Sequence, residues 1–229
     1  MTRVQAAASM ALLIAARPSI APASDRGSRW ARTLDASIAV ARDRGTAAVS
    51  WNQLHAVWPA RLELGLGARA TTFHARGPLV FRTGDPSLER AGRVNGLGLA
   101  DPWVTSVNLQ LLAIARVAGP VEAGFDLDLA GVSFGPRRSG RYEASDPGLA
   151  GAQAARVAAF NLLRGGVRDS GQLNSEFFVG VRLGPTWTVR AGLSHVVTGY
   201  RSLAPLDHGN RDFERFTTQP FAGVSARLR

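Results

Sequence analysis

The chain has 229 residues, 45% of them hydrophobic, and no cysteine, which excludes disulfides, thiolate metal sites and thiol nucleophiles. Beyond the N-terminus no run of about 18 apolar residues occurs, so a helical membrane span is excluded as well. All 27 basic residues are arginine and stand against 17 acids, a formal charge of +10.

Arginine pairs bidentately with phosphate, so the bias reflects either an anionic partner or the codon usage of a G+C-rich genome. The arginines are scattered and often sit beside Asp or Glu. Without a basic stripe, nucleic acid is not an expected partner.

Residues 1–23 read as an export signal: Arg3 supplies the positive start, residues 6–16 the apolar stretch, and Ala21-Pro22-Ala23 a small-residue cleavage site before Ser24. An organellar transit peptide is the alternative. Residues 24–45 are dense in charge and carry a helix-like run over 33–44, with Leu34, Ile38 and Val40 apolar. They are expected to form a periplasmic N-terminal extension with no strand.

From residue 61 onward, every-other-residue apolarity takes over. Leu62, Leu64, Leu66, Ala68 and Ala70 fall on one face; Arg61, Glu63, Gly65, Gly67, Arg69 and Thr71 fall on the other. Charges interleaved with leucines do not suit an ordinary core but fit a wall with lipid outside and a polar interior. The inward glycines leave room for large neighbours in a narrow ring. A weaker strand is expected near 79–83, and then a loop bracketed by Asp85-Pro86 and Asp101-Pro102.

Residues 103–117 alternate Thr105, Val107, Leu109 and Leu111 against Ser106, Asn108 and Gln110; Leu112 and Ile114 then break the polar face and predict an apolar plug. Residues 121–134 set Val121, Ala123, Phe125, Leu127 and Leu129 against Glu122, Asp126 and Asp128. Residues 173–183 and 187–197 follow the same rule, with Asn174, Glu176, Arg182, Arg190 and Ser194 inward. The last strand runs over about 215–229.

Short turns at 75–78, 118–120 and 184–186 alternate with long loops at 84–102, 135–172 and 201–214. Strand parity then requires one further strand within 46–57. Residues 150–163, rich in alanine, predict a helix in the longest loop.

Taken together, the export signal, the alternating strands and the short-turn/long-loop asymmetry resemble the small bacterial outer-membrane β-barrels, over residues 46–229. The fold expected is all-β: an antiparallel up-and-down transmembrane β-barrel of about eight strands, with a short helix in a long outer loop. The resemblance implies location in the bacterial cell outer membrane. It also implies outer-membrane lipid, lipopolysaccharide and the barrel insertion machinery as partners. The sequence leaves oligomeric state open.

Glu122, Asp126, Asp128, Arg182 and Arg190, with Arg69, are the candidate interior binding residues. They form either a charge network that fills a narrow barrel or a polar channel or ligand site. The Ser194-His195 pair looks faintly like the lipid A deacylases, whose pattern puts a Ser two residues after the His. Here that position is Val197, Ser194 faces the other way by parity, and no nucleophile stands beside the base. No catalytic residue, metal ligand set or cofactor is expected.

Three functions follow: a non-enzymatic outer-membrane barrel with an envelope-structural or surface-interaction role, a membrane-embedded lipid A-modifying hydrolase, or a soluble exported lipocalin-like carrier with its leucine faces turned inward.

Overall fold

The computed structural model describes residues 29–58, 61–93, 95–144, 150–164 and 169–228; the expected export signal lies outside them. The described chain is nearly all strand. In chain order the strands are β1 (Trp30–Val40), β2 (Arg44–Trp58), β3 (Leu62–Ala75), β4 (Pro78–Thr83), β5 (Gly96–Ala100), β6 (Trp103–Ala118) and β7 (Val121–Phe134). There follow β8 (Arg138–Glu143), β9 (Gly151–Val157), β10 (Phe160–Leu162), β11 (Leu173–Leu183), β12 (Trp187–Ser202) and β13 (Asp212–Leu228).

All the pairings are antiparallel and belong to one 13-stranded sheet. The long strands pair in the circuit β1–β2–β3–β6–β7–β11–β12–β13 and back to β1, so eight strands close on one another. Closure leaves no free sheet edge along most of the wall. At one end lie the tight connections at 119–120 and 184–186 together with Trp30 and Leu228. At the other end, β4, β5, β8 and β9 bridge from the top of β13 to the top of β12 and close a smaller circuit of six. Short β10 pairs with β7.

The alternation read from the sequence decides which side of each strand is covered. In β3, Gly65, Gly67, Arg69 and Thr71 are buried while Leu64, Leu66, Ala68 and Ala70 are exposed. The eight-strand ring is therefore polar within and apolar without. Glycine makes this packing possible: a Cβ at Gly67 would strike Asn52 Oδ1 and the Trp51 carbonyl, and one at Gly124 would strike Phe178. Above the ring the sense reverses. The six-strand circuit encloses a dry core of Phe73, Phe81, Leu97, Tyr142, Tyr200 and Phe213, among others.

The structure corrects four expectations. Residues 30–40 form β1, in place of a helix-like extension without a strand. Leu34 and Ile38 lie four apart and fit a period of 3.6 as well as a period of 2; the wall decides for the strand, with Thr33, Asp35 and Ser37 turned inward.

The weak segment near 79–83 is β4, which belongs to the smaller circuit and not to the ring. The turn at 75–78 consequently lies at the long-loop end and not with the short turns at 118–120 and 184–186. Thirteen strands stand among the described residues where about eight were expected, because the long loops are themselves strand-forming.

Finally, residues 151–157 and 160–162 are strands β9 and β10 instead of a helix. Tertiary pairing overrides alanine's helix propensity there. Among the described residues the α-helix is Pro86–Arg90, capped by Asp85, whose carboxylate accepts from the Ser87 N–H at 2.9 Å.

One stretch of wall is single-sided. β1 pairs with β13 only up to Ala39↔Phe221, and β4 resumes at Arg82↔Glu214. Among the described residues, 215–220 have no ladder partner on that side, and Pro220, which has no N–H to donate, occupies the last of these positions, next to the end of the β1 pairing.

Candidate functional site: the polar interior

Each of the eight wall strands contributes a buried polar side chain to the interior. Arg69 on β3 is the hub. Its Nε donates to Asp128 Oδ1 at 2.8 Å, and its terminal nitrogens reach Asp126 and the Asn174 carbonyl. Glu176 Oε2 lies 3.9 Å from the same guanidinium.

The second oxygen of Asp128 accepts from Asn108 Nδ2 at 2.7 Å and from the Asn174 N–H at 2.8 Å. Asn174 in turn accepts from Ser194 Oγ at 2.8 Å, while Ser37 Oγ donates to Glu176 at 2.8 Å. One connected network thus crosses β1, β3, β6, β7, β11 and β12.

A second knot lies beside it. Asn52 Nδ2 donates to Asp35 Oδ2 at 2.6 Å, Arg190 Nη2 lies 3.5 Å from the same oxygen, and Gln110 donates to Asn52. The Arg190 guanidinium also stacks 4.6 Å over Phe178. Towards the long-loop end, Asn161 of β10 closes the interior: its Nδ2 donates to Asn108 Oδ1 at 2.6 Å, and its Oδ1 accepts from Ser133 and the Gln172 N–H.

An apolar cluster of Leu54, Leu112, Ile114, Phe178 and Phe221 fills the rest of the ring. This is the plug expected from Leu112 and Ile114. At the short-turn mouth, a recess of about 60 Å³ is lined by Glu63, Glu122, Arg116, Arg182 and Arg227 with their neighbours. That holds a few waters and is far below a usual ligand pocket.

Of the candidate residues, Asp126 and Asp128 meet Arg69. Arg190 meets Asp35, a carboxylate that the sequence alone assigns to an extension outside the wall. Arg182 donates to the Gly119 carbonyl at 2.8 Å and shares the mouth recess with Glu122. The five therefore fall into three separate places. Removing buried charges from water costs several kcal/mol each unless they are paired and hydrogen-bonded, and Arg69 provides that pairing for three acids.

The Ser194-His195 pair singled out by the sequence is not brought together. Ser194 points inward to Asn174, while His195 is on the other face with Nδ1 2.8 Å from Thr218 Oγ1 and its ring stacked on Phe216. The two side chains are separated by the wall. Among the described residues no group of His, Asp and Glu has metal-binding geometry. A lipocalin-like interior is excluded by orientation: Leu66, Leu109 and Phe177 are 62%, 63% and 61% exposed.

Outside the ring, Asp43 sits in the β1–β2 turn. The Arg44 side chain donates to it at 2.8 and 2.9 Å and holds its carboxyl below the ordinary 3.8.

No family model and no curated protein matches this chain. Among solved structures, a major outer membrane protein from Thermus thermophilus aligns over 88% of this chain and 100% of that one, at 14% identity and a TM-score of 0.38. At that score the likeness carries no argument, and the resemblance to outer-membrane β-barrels rests on the antiparallel, nearly all-strand architecture itself.

Proposed function

We propose that this protein is an integral outer-membrane β-barrel with a filled interior, serving a non-enzymatic envelope-structural or surface-interaction role. The observation that carries this reading is the inversion of the ring: acids, amides and arginines are buried inside it, while leucine, valine and phenylalanine cover its outside. Water outside would make that arrangement costly by about 25 cal/mol per Å² of apolar surface; hydrocarbon outside makes it favourable.

Strand length agrees. The 11 residues of β11, rising ~3.3 Å each and tilted ~40°, cover about 28 Å, close to the apolar band of such barrels. Exposed Trp30, Trp58 and Trp187 stand at the short-turn end and Trp103 and Phe134 at the other, where aromatic side chains suit the two membrane interfaces.

In this reading the short-turn end faces the periplasm, and the six-strand circuit stands above the outer leaflet. Outer-membrane lipid, lipopolysaccharide and the barrel insertion machinery are its partners. The interior network serves stability and not transport. The test is extraction and gel mobility: the protein should require detergent and should migrate differently before and after boiling. Reconstituted in planar bilayers, it should give no stable conductance. Free release into salt buffer would overturn the membrane reading, and steady ohmic conductance would overturn the filled interior.

A further inference from the structure

We propose that Arg137, Arg156 and Arg201 form a docking site for the phosphoryl headgroups of membrane lipid; this rests on the membrane placement proposed above. Arg156 of β9 is registered directly opposite Arg201 of β12. Arg138 of β8 is registered opposite Ala155, so Arg137, one residue earlier, comes level with Arg156 on the far side. All three are exposed, between inward Ala155, Val157 and Tyr200 that anchor their strands in the dry core. Three guanidiniums thus stand in a row across adjacent strands, each about 4.8 Å from the next at the backbone.

Like charges directly opposite one another in a ladder destabilise it. Within the row the compensating acid is Asp212, registered opposite Arg201, with its Oδ1 3.7 Å from Arg201 Nε. The neighbouring row of the same circuit is built differently: Glu214, Arg82, Gly96 and Glu143 follow one another across β13, β4, β5 and β8, and acid brackets base. The arginine row is therefore a local excess of positive charge and not a general habit of this surface.

Its height selects the anion. Just beyond Arg156 the chain turns down into β10, where Phe160 is 77% exposed, and Phe134 at the top of β7 is 55% exposed. Guanidiniums immediately above an aromatic edge lie where lipid phosphates lie, and guanidinium forks fit phosphoryl oxygens bidentately. A phosphorylated lipid satisfies both halves of this boundary; an isolated inorganic phosphate satisfies only the charge.

The experiment uses the full chain in detergent micelles and in phosphatidylcholine vesicles, with and without about 10% bis-phosphorylated lipid A. Wild type should bind lipid A from mixed micelles and should not be displaced by millimolar inorganic phosphate. The Arg137→Gln/Arg156→Gln/Arg201→Gln variant should bind about 100-fold more weakly, from roughly five-fold per arginine. Arg82→Gln should be unchanged, and the single Arg156→Gln serves if the triple variant does not fold.

Equal binding by wild type and a correctly heat-shifted variant overturns the proposal while leaving the membrane reading intact. Displacement by inorganic phosphate overturns the lipid as the occupant. A wild type that needs no detergent and shows no heat shift overturns the membrane reading instead.

Discussion

Arg69 and Asp128, 59 residues apart in sequence, meet inside the ring with Nε 2.8 Å from Oδ1, both side chains almost completely buried. The arginine also serves Asp126 and lies near Glu176, so its loss leaves several carboxylates uncompensated. Arg69→Met is expected to lower stability by about 3–5 kcal/mol. The measure is the urea midpoint in detergent, followed by tryptophan fluorescence. An unchanged midpoint would mean that the network contributes nothing.

Close packing of the ring depends on absent side chains. Gly67→Ala places a methyl group against the Trp51 carbonyl and Asn52 Oδ1, of which the backbone carbonyl cannot move aside. A loss of about 1–3 kcal/mol is expected from overpacking. Gly98→Ala, on an outward face where the new Cβ meets the Arg141 carbonyl at an ordinary 3.6 Å, should stay within about 0.5 kcal/mol. Equal effects in the same unfolding assay would contradict the inward placement of Gly67.

His195 and Ser194 occupy opposite faces of β12, so the two do not form a hydrolytic pair; the hydroxyl beside the imidazole is that of Thr218. His195→Ala should leave lipid A acylation unchanged when whole-cell lipid is analysed by mass spectrometry. A change in acyl-chain pattern that tracks this substitution would revive the lipid A-modifying reading.

The Asp43 carboxyl is held below its ordinary value first by the hydrogen bond from Arg44. A depressed folded pKa gives stability that is complete above the unfolded value and is lost as pH falls through the folded one. The midpoint of Asp43, followed by carboxyl carbon NMR in micelles, should lie below 3.8 and should rise in Arg44→Gln. A midpoint indifferent to that substitution would exclude the pairing.

Much of the wall was legible from alternation. β3, β6, β7, β11, β12 and β13 each carry mostly apolar residues at alternate positions over much of their length, against charge, amide, hydroxyl or glycine on the other face, and that two-residue period is the signature of a strand. β1 was missed because Leu34 and Ile38 satisfy two periods at once, and its inward Asp35 was lost as the partner of Arg190.

β4 was legible as a weak strand near 79–83, though not its place in the smaller circuit; β5, β8 and β9 are too short to show a period, and alanine-rich β9 has the composition of a helix. Their strand state comes from neighbours that a single sequence does not place. Parity put Asp126, Asp128 and Arg69 on the inner face. It did not fix their height, and so could not foresee that Arg182 and Glu122 stand apart at the mouth.

The orientation of the faces is tested most directly by accessibility in a membrane. The chain has no cysteine, so single cysteines can be placed and spin-labelled at Leu66, Leu109, Phe177 and Val179 in vesicle-reconstituted protein. All four labels should be relaxed by oxygen dissolved in the bilayer and shielded from a water-soluble nickel chelate. Ready collision with the nickel chelate at these positions would place the leucine faces in water and contradict the barrel.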